Sequence, residues 1–235
     1  MKKFSFDKKT TIALLFLFSA IIGYSQSEDT DDLESWKSVN LKYKLDKKWE
    51  FDFEGQLRLK NDISEISEYF GEFNAEYSVT KAFKLGAGFR YIWENDNVGA
   101  IQGYENHLRY HFDVSYKHKI NDFSLKYRLR YQNKNELGVD DNANKHFRLK
   151  TSLGYNFKNW KLDPKLSAEI YHHSETGEED GFDKYRLTLG TEYKFKKSGT
   201  IGLFYRIEKE LNETIPETTN IIGLKYSYTF KNKKK

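Results

Sequence analysis

The residues best suited to chemistry in this 235-residue chain are its histidines and arginines. His107, His111 and Asp113 stand four and two residues apart, so a strand would put them on one face, about 13 and about 7 Å apart along its axis. The first pair cannot touch at that spacing. His172 and His173 would point to opposite faces, with Ser174 following at a loop edge. A serine hydrolase needs nucleophile and base within about 3 Å, and no spacing here fixes that. GxSxG, HExxH and phosphate-loop patterns are missing. Imidazole suits zinc, but a histidine in a strand is more often a packed or pore-facing residue than a ligand. No catalytic residue, metal or cofactor is therefore expected.

The arginines carry more. Arg58, Arg90, Arg109, Arg128, Arg130, Arg148, Arg186 and Arg206 each lie on the polar phase of an alternating segment, which chance would produce about once in 250 trials, since neighbouring side chains in a strand point to opposite sides. On the same phase stand Glu50, Asp52, Glu54, Glu72, Glu76, Glu105, Asp113, Glu169, Glu192 and Glu208. Such side chains form a charge network only if the strands gather them on one surface.

The elements that would do so are legible in WEFDFEGQLRLK, residues 49–60. Trp49, Phe51, Phe53, Leu57 and Leu59 alternate with Glu50, Asp52, Glu54, Gln56, Arg58 and Lys60, a period of two and hence a strand with unlike faces. The pattern recurs from Val39 to Phe230, for example at Tyr69–Val79, Phe83–Trp93, Leu108–Tyr116, Phe123–Tyr131, Tyr185–Phe195 and Ile222–Phe230. About eleven segments of about ten residues can be traced, the length a tilted strand needs to cross a bilayer. Tight turns at Asp46-Lys47, Thr80 to Ala82, Asn121-Asp122, Lys158 to Trp160 and Lys196 to Gly199 alternate with longer links at 61–66, 95–103, 133–145, 174–183 and 211–217. Short turns on one side and long loops on the other are the habit of outer-membrane barrels. The expected fold is all-β, a closed antiparallel transmembrane β-barrel of 10–12 strands with periplasmic turns and extracellular loops. Placing both termini in the periplasm requires an even number and favours twelve, with Asp31 to Ser35 opening an additional first strand.

Composition fits an exported barrel. Lys2, Lys3, Lys8 and Lys9 precede an apolar run from Thr10 to Ile22, and Gly23 and Ser25 supply small residues before a cut ahead of Gln26, which reads as a cleavable signal peptide over 1–25. Residues 26–34 form a lead-in, 35–230 the barrel and 231–235 a basic tail. Cysteine is absent, so neither a disulfide framework nor a lipid-attachment cysteine is available. The 39 basic and 35 acidic residues nearly balance once the signal is removed, and no basic face marks nucleic-acid binding. A mean hydropathy of −0.81 is compatible with a barrel, which shows lipid only every second residue.

Which face is inside decides the reading. The arginine phase facing a lumen and the aromatic phase facing lipid give a membrane barrel, with Trp93 at a strand end where an interfacial belt lies. The reverse gives a soluble, exported, lipocalin-like binding barrel. Gly223, Tyr226, Tyr228 and Phe230 resemble the last-strand signal read by the barrel assembly machinery.

With these segments in view, the chain resembles the domain of unknown function 2490 family of exported Bacteroidetes-type proteins, through SWKSVNLKYKLDKKWEFDFEGQLRL, GFRYIWE at 88–94, YRLRYQ at 127–132, HFRLKTSLGYNF at 146–157 and DKYRLTLGTEYKF with GLFYRIEKELN. The resemblance implies an outer-membrane barrel and no particular reaction. The expected function is a narrow channel or structural barrel with a charged, occluded lumen; the alternative is a lipid or peptide hydrolase with its site at the extracellular rim. Expected partners are outer-membrane lipid, lipopolysaccharide and the assembly machinery, with the protein a monomer.

Overall fold

A computed structural model describes residues 31–97, 102–139, 143–155, 162–174 and 180–232. The expected signal peptide, the turn at Lys158 to Trp160 and the last three lysines lie outside these residues. Eleven strands are present: β1 (Asp31–Lys44), β2 (Trp49–Lys60), β3 (Glu65–Ser78), β4 (Phe83–Asp96), β5 (Gly103–Ile120), β6 (Phe123–Glu136), β7 (Asn144–Tyr155), β8 (Leu162–His173), β9 (Gly181–Lys194), β10 (Thr200–Glu210) and β11 (Thr218–Lys231). Each pairs antiparallel with its neighbours in sequence, and β1 pairs with β11 to close the barrel.

Eleven lies within the expected 10–12 strands, one short of the favoured twelve. An up-and-down sheet with an odd number of strands brings its first and last strands together pointing the same way. β1 and β11 accordingly pair in parallel from Asp31↔Thr218 to Lys44↔Lys231. Asp31 to Ser35 are no separate strand but the first residues of β1, which also takes in the end of the segment expected as a lead-in. The described chain therefore starts and finishes at opposite ends of the barrel, not at one end.

The sorting of links by length is also weaker than the sequence suggests, because the strands extend further. The β2–β3 link shrinks to residues 61–64, no longer than the 45–48 and 79–82 turns at the other end. It is a special link. Asn61, Asp62 and Ile63 all have left-handed backbone, with φ of 53°, 54° and 64°, a conformation uncommon for non-glycine residues and most unusual for β-branched Ile63. The Asp32 carboxylate accepts the N–H groups of Asn61 and Asp62 at 3.0 and 2.9 Å, and the Ile63 N–H donates to the Leu33 carbonyl at 3.0 Å. The start of β1 thereby holds the β2–β3 link in place.

The alternation of residue types becomes a sorting of side chains. Val39, Phe53, Phe73, Phe89, Phe112, Leu129, Leu149, Leu166, Leu189, Leu203 and Ile222, one from each strand in order, are exposed on the outer face, Phe112 at 58% and Leu189 at 60%. Phe53, Phe73 and Phe89 stand in one cross-strand row. The opposite phase is buried and mainly polar: Asn40, Glu68, Glu72, Arg90, His111, Arg130, Arg148 and Glu169 are all within the barrel.

Candidate functional site

Strand register dictates which lumenal charges meet, because opposed residues on adjacent strands are the closest neighbours on a face. Glu169 on β8 is opposed by Lys150 on β7 and Arg186 on β9. Its Oε1 also accepts from Arg128 Nη2 and Arg148 Nη2, both at 2.8 Å, with Lys150 Nζ 3.8 Å from Oε2. The Glu169 side chain is only 2% exposed. One buried carboxylate thus anchors three cations from β6 and β7.

Glu72 on β3 is the second anchor. Opposed to Arg90 on β4, it accepts from Arg90 Nε at 2.6 Å and from Arg109 Nη2, two strands away, at 3.0 Å. Asp113 on β5 takes a two-pronged contact from its cross-strand neighbour Arg130, at 2.7 and 2.8 Å, a geometry the planar guanidinium favours. Arg58 reaches Glu68 at 2.6 Å, and Arg186 is ion-paired with Glu208.

The remaining residues of the expected network sit lower or at the rims. Glu54 pairs with Lys225 on β11 at 2.5 Å, and Asp52 accepts from Asn40 and Asn74. Glu50 meets Lys44 at 3.0 Å, and Glu76 pairs with Lys84. Glu105 lies 3.4 Å from His107 Nε2 at the long-link end. At that same end, beyond the strands, burial and then the nearby Glu210 and Asp32 charges raise the Glu217 carboxyl above its ordinary range.

Arg206 differs from the other seven in making no ion pair with a carboxylate of the described residues. Its cross-strand neighbours are Thr188 and Ile221, neither of them acidic, and its Nε donates to Thr188 Oγ1 at 3.0 Å. It is held by aromatic faces instead, 4.7 Å from the ring centres of both Trp36 and Phe204. Arg58 stacks on Trp36 at 3.6 Å and Arg186 lies 5.4 Å from it, so three guanidiniums converge on one indole. Arg90 covers Phe70 at 3.3 Å and Arg148 covers Tyr171 at 4.4 Å. Desolvated cation–π contacts of this kind contribute about 2 kcal/mol.

Sequence reasoning missed these rings. The signal was present: Trp36, Phe70, Tyr171 and Phe204 are aromatic residues on the polar phase of their strands. It missed the inward lysines as well, among them Lys134, Lys150, Lys165, Lys184 and Lys225, and it missed Glu68. Gly223 and Gly190 make room for Phe204, whose ring fills the space where a Gly223 side chain would start. Tyr226, Tyr228 and Phe230 point outward on β11, the last two with rings 4.7 Å apart.

The charges segregate. One cavity of about 650 Å³ is lined by all eight arginines together with Lys134, Lys150, Lys165, Lys184 and Lys225, against Glu54, Glu68, Glu72, Glu169, Glu192 and Glu208. A second, of about 160 Å³, has the opposite balance, with Glu50, Asp52, Glu72, Glu76 and Asp113 against Lys42, Lys84 and Arg130. The lumen thus has a cationic chamber and a smaller acidic one, with Glu72 and Arg130 lining both.

The histidines separate into different settings. His111 is buried on β5, packed beside Gly88, where no Cβ would fit. His107 lies 3.4 Å from both Glu94 and Glu105. His146 Nε2 is 2.7 Å from Asp183 Oδ2 near the long-link rim, with the His173 ring 5.0 Å away. This is an oriented His–Asp pair, yet His146 Nδ1 is buried without a partner among the described residues, and the Ser174 N–H donates to the Lys145 carbonyl. Among the described residues no three His, Asp or Glu side chains are grouped to hold a metal ion.

Comparison with curated proteins finds no match. A family model described as "Protein of unknown function (DUF2490)" matches residues 33–218, from the third residue of β1 to the first of β11, so that it takes in the lumenal arginines and both anchoring glutamates. The chain belongs to the DUF2490 family.

Proposed function

We propose that the protein is exported and spans a bacterial outer membrane, its apolar face in lipid and its charged lumen forming a narrow, occluded passage. The observation that carries this reading is the outer face itself. Every strand contributes an exposed large apolar residue, and together they form a continuous belt around a closed barrel. Monomeric soluble proteins rarely expose contiguous apolar patches beyond a few hundred Å², whereas an apolar belt outside and polar residues inside define a transmembrane barrel. A lipocalin-like soluble barrel needs the reverse arrangement.

The lumen supports a structural barrel or narrow channel over a general diffusion pore. Arginines anchored on Glu72, Asp113 and Glu169 cross from strand to strand, and Trp36, Phe70, Tyr171 and Ile221 are buried in the same interior. Eleven strands depart from the even numbers of single-chain bacterial barrels, although an odd-stranded membrane barrel exists in the mitochondrial anion channel. On this reading the assembly machinery, outer-membrane lipid and lipopolysaccharide are the partners that the fold meets. The hydrolase alternative rests on His146 and Asp183, which form a base and its orienting acid but have no hydroxyl nucleophile hydrogen-bonded to them among the described residues.

Planar-bilayer recording of the purified protein tests the occluded passage. The expected result is silence or a small conductance. A large, steady, weakly selective conductance contradicts it.

A further inference from the structure

We propose that the cationic chamber of the lumen is a binding site for a small multivalent oxyanion of the phosphate class, seated among Arg206, Arg186, Arg128 and Lys150 beside Trp36 and Tyr171. Thirteen cationic side chains and six carboxylates line this cavity of about 650 Å³. Like charges gathered in a poorly solvated interior are unfavourable unless counter-charge is supplied. The carboxylates that would balance them are not simply absent from the barrel. Glu50, Asp52, Glu76 and Asp113 line the smaller chamber instead, and the excess positive charge is left on one side.

Aromatic contacts explain how that excess persists in a folded barrel. A ring attracts a guanidinium through its quadrupole but contributes no net charge. Trp36 therefore gathers Arg58, Arg186 and Arg206 within 5.4 Å of its centre without neutralising any of them. Arg58 and Arg186 have Glu68 and Glu208. Among the described residues Arg206 has no carboxylate partner, only Thr188 and two rings. Its charge is fixed in position and unspent.

Independent of the charge count, several donors in the chamber lack acceptors. Arg90 and Tyr171 are 6% and 4% exposed, and among the described residues Arg90 Nη1 and the Tyr171 hydroxyl have no hydrogen-bond partner; nor do Arg109 Nε and Arg128 Nε. Buried polar groups are ordinarily satisfied, and exceptions mark places where a ligand, water or ion is bound or a functional role is served. Guanidinium forks combined with lysine point charges and a hydroxyl match a tetrahedral oxyanion with several acceptor oxygens. The excess of cations favours a multivalent anion over chloride. The cavity volume admits pyrophosphate or a small phosphomonoester.

The inference rests on the closed barrel and not on its placement in a membrane, so a soluble barrel that bound the anion would refute the membrane reading and leave this one standing. The test is calorimetric titration of the folded protein, in maltoside micelles at low salt, with inorganic pyrophosphate, chloride and citrate. Saturable binding of pyrophosphate is expected, weakened by high salt. Arg206→Met, which leaves no carboxylate unpaired, should weaken it by about tenfold or more, equivalent to ~1.4 kcal/mol. Lys150→Gln carries the same test if Arg206→Met does not fold, and Lys47→Gln in the β1–β2 turn should bind as the unmodified protein does. No saturable binding by the folded protein, or equal binding after both lumenal substitutions, overturns the site. Citrate bound as tightly as pyrophosphate overturns the phosphate class.

Discussion

Phe204 on β10 sits over Gly223 on β11, its cross-strand partner, with its ring in the volume that a side chain at 223 would occupy. The contact places an aromatic ring on the lumenal face next to the parallel seam, where Gly223 is also opposed by Trp36 of β1. Gly223→Val should force the ring away and lower the midpoint of thermal unfolding followed by circular dichroism. Phe204→Ala introduced with it should recover part of that loss, since contacting residues couple in double mutants. A simple sum of the two single effects would contradict the packing described.

Glu169 should be the costliest single lumenal residue to neutralise. Glu169→Gln leaves Arg128, Arg148 and Lys150 without their shared anion, and removing one partner of a buried ion pair typically costs about 3–5 kcal/mol. Glu76→Gln breaks an ion pair with Lys84 whose side chains are about a third exposed, and such pairs contribute about 0–1 kcal/mol. Urea unfolding in micelles compares the two. Equal destabilisation would mean that Glu169 is not an anchor.

Much of this lumen could be read directly in the chain, and the reasons for the misses are physical. The phase of each arginine was legible because period two survives in every strand, and the structure lines one cavity with all eight. Strand pairing in sequence order was equally legible. The parallel β1–β11 seam was not, because alternation marks faces but carries no information on whether residues 31–35 turn or continue. Trp36 and Phe204 were overlooked because an aromatic on a polar phase breaks the pattern used to find the faces. The two-chamber charge distribution depends on register between strands far apart in sequence, such as Arg128 reaching Glu169 across 41 positions.

Outer-face and lumen-face substitutions should differ sharply in kind. Leu187→Arg or Phe112→Arg puts a charge on the outer face, where both side chains are exposed, at a cost of about 2–4 kcal/mol near the bilayer midplane. Arg186→Gln alters only the lumen. Folding yield into vesicles, read from the shift in gel mobility, should fall for the outer-face variants in thick bilayers and less in thin ones. Loss for the outer-face variants that did not depend on bilayer thickness would reverse the assignment of faces.

The absence of cysteine lets single labels report whether the apolar outer face lies in lipid. Single cysteines at Leu149 and Leu189 on the outside, and at Ser167 and Thr188 on the inside, can each carry a nitroxide in protein reconstituted into vesicles. The outer labels should show a higher ratio of relaxation by oxygen, which concentrates in the bilayer, to relaxation by a water-soluble nickel chelate than the inner labels do. Outer labels reached by the chelate as readily as the inner ones would contradict that placement in lipid.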